Sequence, residues 1–160
     1  MDIDRKYTLV EAHRQFAKQF NGRVWELIAK EHRSNDEDEE MLHMAYASAF
    51  HWRQVGSALH EQRAEWLISR VSAELGLVEP ALRHAIRCYD LTREHAGLME
   101  DFDRAYAFEA MARANALVGN QSEARKFIEQ AEQAGETILN PEDKEIFKGD
   151  LDHGEWFGLR

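Results

Sequence analysis

Histidine and acidic side chains are the first residues of this 160-residue sequence to suggest chemistry, and the chemistry they suggest is metal binding. Glu40 and His43 have the Glu-x-x-His spacing that carboxylate-bridged dimetal sites use on one face of a helix. Such a site needs two pairs of this kind and two further glutamates, and the nearest second pair is Asp150 with His153. The eight histidines include no His-Glu-x-x-His zinc motif. We therefore expect neither a bound metal ion nor another cofactor.

The single thiol belongs to Cys88, and His84 precedes it by about one turn of a predicted helix. These two side chains could hold a metal only with ligands from elsewhere in the chain. A cysteine at a packing position inside a helix usually behaves as an inert small hydrophobe. The sequence also contains no glycine-rich phosphate loop and no nucleophile elbow. We therefore predict that the protein is not an enzyme.

A cluster of histidine and tryptophan surrounds the predicted turn between the second and third helices. It consists of His51, Trp52, His60, Glu65 and Trp66. Titratable groups beside two indole rings would suit a small pocket. Our alternative function is therefore a small-molecule-binding protein or an enzyme, with its site at His51, Trp52, His60 and Glu65. The competing interpretation is that the tryptophans are core residues and the histidines lie at the solvent edge.

The elements that must position these side chains are all helical. Alanine, leucine, glutamate and arginine dominate the sequence, and all are good helix formers. Thr8 with Glu11, and Ser34 with Glu37, have the spacing of a capping box at a helix start. The sequence predicts one domain over residues 1–160 with about seven helices: hairpins at about 8–57, 59–97 and 101–138, a last helix at about 141–151, and an apolar tail at 153–160. Short connections make consecutive helices antiparallel.

Charge and hydropathy restrict the partners. The formal charge of −10 would repel a polyanion, so we expect no nucleic acid. No run of 18 apolar residues occurs, and the charged start of the chain does not resemble a signal peptide, so we expect no membrane association and a cytoplasmic location. The acidic run at residues 36–40 falls on a predicted first helical turn, where the helix dipole favours negative charge.

An internal repeat relates the second hairpin to the third with an offset of 43 residues, so that Gly76 falls on Gly119 and Ala81 on Ala124. The third hairpin resembles the tetratricopeptide pattern at Phe108, Met111, Ala112, Asn115, Gly119, Ala124, Ile128 and Ala131. The layout is similar to that of bacterial proteins of this superfamily that have no assigned activity. The resemblance implies antiparallel hairpins stacked as a short right-handed array, closed by the last helix.

The resemblance also implies a function, because the first helix of each tetratricopeptide hairpin lines a concave groove that often receives a peptide. We therefore predict a protein- or peptide-binding scaffold. The groove positions implied are Arg63, Trp66 and Arg70 on the third helix, and Tyr106, Glu109 and Arg113 on the fifth. Arginine could bind a ligand carboxylate through paired hydrogen bonds. The alternative is that the arginines form surface ion pairs, since Arg70–Glu74 and Glu109–Arg113 both have i,i+4 spacing.

The last predicted segment, residues 153–160, carries three large apolar side chains: Trp156, Phe157 and Leu159. Each would cost about 1.5–3 kcal/mol to leave in water. We expect them to dock, either back on the sixth and seventh helices or on another subunit. The second alternative predicts a homo-oligomer.

Overall fold

In the computed structural model, which describes residues 6–160, the chain forms seven α-helices and no strand over those residues, so the predicted all-α class is confirmed. Their bounds are α1 Leu9–Ile28, α2 Asn35–Val55, α3 Ala58–Glu74, α4 Val78–Glu94, α5 Asp101–Val118, α6 Gln121–Glu136 and α7 Pro141–Asp152. A short 3₁₀ turn at Ala96–Leu98 precedes α5.

The helix ends form where local hydrogen bonds replace the missing helical ones. The predicted capping boxes are both present: Thr8 exchanges hydrogen bonds with Glu11, and Ser34 with Glu37. Each box satisfies backbone N–H groups that have no partner within the helix. After α5, Gly119 has a φ of 89°, a left-handed conformation that glycine adopts without steric cost.

Each helix packs against the next in the chain, and the helices of odd number also lie side by side. Helix α3 contacts α5, and α5 contacts α7. Trp25 of α1 stacks on Trp66 of α3. The four odd-numbered helices therefore form one face of an array of helices, with α2, α4 and α6 packed behind them. We call this surface the odd-helix face.

Small residues let neighbouring helices approach closely. Ala81, Ala85 and Cys88 of α4 are fully buried. A Cβ atom on Gly135 of α6 would lie 2.6 Å from Cε1 of Phe147 on α7, so only glycine fits there. Over residues 6–160, the buried apolar side chains form one cluster within α1–α5 and a second that joins α5 and α6 to α7 and Trp156.

Candidate functional site

An aromatic row crosses the odd-helix face, with one side chain from each of its four helices. Trp25, Trp66, Tyr106 and Phe147 follow one another at spacings of 40 or 41 residues. The ring centroids lie 5.4 Å apart for Trp25–Trp66, 5.0 Å for Trp66–Tyr106 and 4.9 Å for Tyr106–Phe147. The first contact is stacked and the other two are edge-to-face, which are both favourable arrangements for aromatic pairs. The row fixes the relative positions of the four helices.

A groove of about 380 Å³ opens over three members of this row, Trp25, Trp66 and Tyr106. Its volume is within the range of small ligand sites. Trp66 is buried at its floor, while Trp25 and Tyr106 are half-buried. The lining residues come from all four helices of the face: Asn21, Trp25, Gln62, Arg63, Trp66, Leu67, Phe102, Asp103, Tyr106, Ile146 and Asp150. The structure thus brings together three of the predicted groove residues, Arg63, Trp66 and Tyr106.

One side of the groove carries a closed ion pair. Arg63 donates hydrogen bonds from Nε and Nη2 to the two carboxylate oxygens of Asp103, at 2.8 and 3.0 Å. Its guanidinium also lies 5.1 Å from the ring centroid of Phe102. Asp103 is buried and accepts a further hydrogen bond from the backbone N–H of Glu100 at the start of α5. Asp103 therefore already neutralises Arg63 through one bidentate edge of the guanidinium.

The opposite side of the groove carries Asp150 of α7. The hydroxyl of Tyr106 donates a hydrogen bond to its carboxylate. Burial raises the pKa of the Asp150 carboxyl, although the Tyr106 hydrogen bond and nearby Arg70 act in the opposite direction. Burial and the hydrogen bond to Asp150 raise the pKa of Tyr106, so the phenol stays protonated and remains a donor.

Three predicted groove residues lie elsewhere, which corrects the prediction that they line an open groove. Arg70, Glu109 and Arg113 are buried, with 3%, 1% and 2% of their surface exposed. Together with Glu74 they form a cluster that we call the arginine network. Glu109 Oε1 accepts hydrogen bonds from Arg113 Nε at 2.6 Å and from Arg70 Nη1 at 3.3 Å, and Arg70 Nε donates to Glu74 at 3.1 Å. The i,i+4 pairs therefore exist, but inside the protein rather than at its surface.

The arginine network is continuous with the groove. The indole N–H of Trp66 donates a 2.8 Å hydrogen bond to Oε2 of Glu109. Burial lowers the pKa of the Arg113 guanidinium, while the charge of Glu109 raises it. The buried cations Arg70 and Arg113 thus lie beside the acids Glu74 and Glu109, and Arg33 also pairs with Glu74 at 3.7 Å.

The tail segment (residues 153–160) covers the arginine network. Arg70 donates hydrogen bonds to the main-chain carbonyls of Asp150 and His153, at 3.3 and 2.9 Å. Arg113 donates to the carbonyls of Glu155 and Asp150, at 2.9 and 3.4 Å. The two guanidinium groups thus bind main-chain carbonyls of the last turn of α7 and of the non-helical residues that follow it.

Glycine is required where the tail segment crosses the network. Gly154 has a φ of 86°, and a Cβ atom there would lie 2.6 Å from Oε1 of Glu74 and 2.8 Å from Nη2 of Arg70. Two residues later, Trp156 is buried, with its ring centroid 4.0 Å from the Arg113 guanidinium carbon. Its indole N–H donates to the carbonyl of Leu151 at 2.9 Å. The backbone contact and the buried indole together fix the segment.

The predicted docking of the apolar tail residues therefore takes place within the chain. Trp156 joins the second core cluster, and Leu159 packs against it. Phe157 is half-buried, and its carbonyl accepts a hydrogen bond from Gln121 of α6. Of the two predicted alternatives, docking on the same chain or on another subunit, the structure shows the first. A homo-oligomer formed through it stays a prediction.

The histidine–tryptophan cluster is not brought together. The Nδ1 atom of His51 lies 2.8 Å from Nδ1 of His13 on α1. The rings of Trp52 and His60 stack on each other at 4.3 Å, and His60 accepts the backbone N–H that begins α3. Glu65 points in another direction, where it pairs with His84 of α4. Of the four residues of the alternative pocket, only Trp52 and His60 therefore contact each other, whereas His51 and Glu65 contact His13 and His84.

The candidate metal ligands also have other roles. Glu40 forms a bidentate pair with Arg23, at 2.9 and 3.1 Å. Burial raises the pKa of the Cys88 thiol well above its ordinary value, which keeps it protonated. Across residues 6–160, no three His, Cys, Asp or Glu side chains are arranged to hold a metal ion. In the same part of the chain, no helix is long and apolar enough to cross a membrane.

Sequence reasoning missed eight groove residues: Asn21, Trp25, Gln62, Leu67, Phe102, Asp103, Ile146 and Asp150. The first helix does not match the repeat pattern, so nothing placed it beside the others. The signal that could have found Trp25 is the recurrence of an aromatic residue at 40- or 41-residue intervals, which differs from the 43-residue offset of the hairpins. Asp103 and Asp150 carried no comparable signal as groove residues.

The described residues thus define an all-helical array of hairpins with a groove on its odd-helix face. Comparisons of the chain with protein-family models, with curated proteins and with solved structures give no significant match. The geometry of the odd-helix face is therefore the basis on which a function can be proposed, and the tetratricopeptide resemblance stays a prediction.

Proposed function

We propose that the protein is a binding module that holds a non-helical segment of a partner polypeptide in the groove of the odd-helix face. The observation that carries this proposal is the tail segment. Arg70 and Arg113 already hold this segment on the face through the carbonyls of His153 and Glu155, and they also contact the carbonyl of Asp150 near the end of α7. A second segment would bind beside the first through the aromatic and apolar side chains of the groove, because Arg70 and Arg113 are buried and already hydrogen-bonded.

The groove lies next to the tail segment and offers what a second segment needs. Asp150 of α7 links the two, because its carbonyl accepts a hydrogen bond from Arg70, which also holds the tail segment, while its side chain lines the groove. Trp25, Tyr106 and the exposed Ile146 present apolar surface to a ligand. Aromatic residues of this kind supply most of the energy in peptide-binding grooves. The proposed partner is a polypeptide, as predicted from the sequence, and its binding site keeps the predicted residues Arg63, Trp66 and Tyr106 but not the buried Arg70, Glu109 and Arg113.

A pair of matched substitutions tests the proposal. Ile146 lines the groove on α7, and Ile86 is similarly exposed on α4, outside the groove lining. Peptides are selected from a randomised display library against the full chain, and their affinities are then measured by calorimetry. We expect Ile146→Ser to weaken binding at least fivefold, because a desolvated apolar contact is lost. The Ile86→Ser variant should bind as the unaltered chain does.

Equal weakening by both variants, or by neither, would place the binding surface elsewhere and contradict the proposal. A library that yields no binding peptide would do the same. The alternative of a small-molecule site at His51, Trp52, His60 and Glu65 stays a separate prediction, and so does a cytoplasmic location.

A further inference from the structure

The acidic side chains of the odd-helix face differ in whether a cation neutralises them. Glu109 contacts two guanidinium groups, Glu74 pairs with Arg70, and Asp103 is bidentate with Arg63. Asp150 is the exception. Within the described part of the chain, its carboxylate forms no ion pair and accepts only the hydroxyl of Tyr106. The groove therefore contains one acid whose charge is not matched by a direct partner.

The surroundings of Asp150 make that charge available to a ligand. The carboxylate lines the groove together with the indoles of Trp25 and Trp66 and the exposed side chain of Ile146. Arg70 and His153 act on it electrostatically, but Arg70 directs its hydrogen bonds to main-chain carbonyls and to other acids. An anion at the edge of an aromatic groove is a favourable site for a cation, because ring faces and carboxylate attract the same charge.

An anionic ligand is disfavoured by the same geometry. The groove's own cation, Arg63, already forms a bidentate pair with Asp103 through Nε and Nη2. A second carboxylate would have to share Arg63 with Asp103 and would also approach the negative charge of Asp150. The whole chain carries a formal charge of −10, which attracts cationic partners at long range.

From these observations we infer that the groove binds a lysine or arginine side chain of the partner peptide, with its cationic group on the Asp150 carboxylate and its aliphatic stem along Trp25. This inference rests on the proposed function and names the ligand chemistry of the same site. The groove volume of about 380 Å³ accommodates a side chain of this length. A peptide-borne cation, rather than a free amine, fits a groove whose neighbouring surface already holds polypeptide backbone.

The test uses pools of acetylated and amidated hexapeptides that share one fixed central residue: arginine, lysine, citrulline or glutamate. Citrulline has the shape of arginine without its charge. The full chain is labelled with ¹⁵N, and the indole N–H signals of Trp25 and Trp66 report binding to the groove. We expect the arginine and lysine pools to bind about tenfold more tightly than the citrulline pool, and the glutamate pool to bind most weakly.

Two variants isolate the acid. Asp150→Asn removes the charge but keeps an acceptor for Tyr106, while Glu145→Gln removes one charge from an exposed position of α7 outside the groove lining. We expect Asp150→Asn to bring the arginine and citrulline pools to within twofold of each other, and Glu145→Gln to leave the tenfold preference intact. The comparison of pools on the unaltered chain holds even if Asp150→Asn does not fold.

The outcomes separate the inference from the proposed function. If arginine and citrulline pools shift the Trp25 signal equally, the groove binds peptides but the inference is wrong. If no pool shifts the groove signals, the proposed function fails as well. If free arginine amide binds as tightly as the arginine pool, the ligand is a small cation, and the assignment to a peptide side chain is overturned.

Discussion

Replacing Glu109 with glutamine is the perturbation that most clearly tests the arginine network behind the groove. Glutamine keeps the size of the side chain and one carbonyl oxygen but removes the negative charge. Among the described residues, three donors reach the Glu109 carboxylate: Trp66 Nε1 at 2.8 Å, Arg113 Nε at 2.6 Å and Arg70 Nη1 at 3.3 Å. The guanidinium groups of Arg70 and Arg113 are nearly inaccessible to solvent. The substitution removes the carboxylate charge that compensates their positive charges.

The size of the effect follows from this burial. Removing one partner of a buried ion pair typically costs about 3–5 kcal/mol, because the remaining charge is desolvated without compensation. Glu74 and the tail carbonyls still contact the arginines, so we expect a loss near the lower end, about 3 kcal/mol in the free energy of unfolding. For a chain of this length, that corresponds to a Tm decrease of roughly 6–12 °C.

Urea denaturation followed by circular dichroism measures the loss. Glu145→Gln is the matched control, because Glu145 lies exposed on α7, and we expect that variant to stay within about 0.5 kcal/mol of the unaltered protein. If Glu109→Gln costs less than about 1 kcal/mol, it behaves as a surface ion pair would. The reasoning that two buried cations depend on this carboxylate would then be refuted.

Two further predictions concern the tail segment and the contact of His51 on α2 with His13 on α1. Substituting Gly154 with alanine places a methyl group against the Arg70 side chain at a left-handed backbone position, so we expect the free energy of unfolding to fall by about 2 kcal/mol or more. The control is Gly149→Ala, whose methyl group meets no atom within 4 Å. In the same urea titration this variant should be as stable as the unaltered chain or more stable. Equal effects of the two substitutions would show that the segment does not pack as described. Burial and the neighbouring His13 lower the pKa of His51 from its ordinary value of 6.5. The stability that the neutral imidazole contributes is therefore fully present above about pH 6.5 and is lost as the pH falls through the lower pKa of the folded state. Thermal melts between pH 7.5 and 5 should therefore show a smaller decrease in Tm for His51→Gln than for the unaltered chain, and identical decreases would contradict this role.

The helices could be predicted from the sequence because their ends are determined locally. A capping box such as Thr8 with Glu11 needs only residues three apart, and the structure has both predicted boxes. Glycine at 119 ends α5 for an equally local reason, its left-handed backbone. Signals of this kind do not depend on how the helices pack, so the element order follows from the sequence alone.

The site was harder to predict because it depends on the register between helices. The hairpins repeat at 43 residues, but side chains that touch across α3 and α5 can be offset by 40, as Trp66 and Tyr106 are. The i,i+4 spacing of Arg70–Glu74 predicts an ion pair but does not reveal that it is buried. The tail segment buries this ion pair. The apolar side chains of the segment predict that it docks, but they do not predict where.

Nuclear Overhauser effects between a selected peptide and the full chain test the central claim most directly, because they locate the peptide on the surface. The account predicts contacts from the peptide to the Trp25 ring and the Ile146 methyl groups, with Trp156 still in its buried environment. Contacts confined to the exposed side chains of α2, α4 or α6 would contradict it, since the odd-helix face would then not be the binding surface.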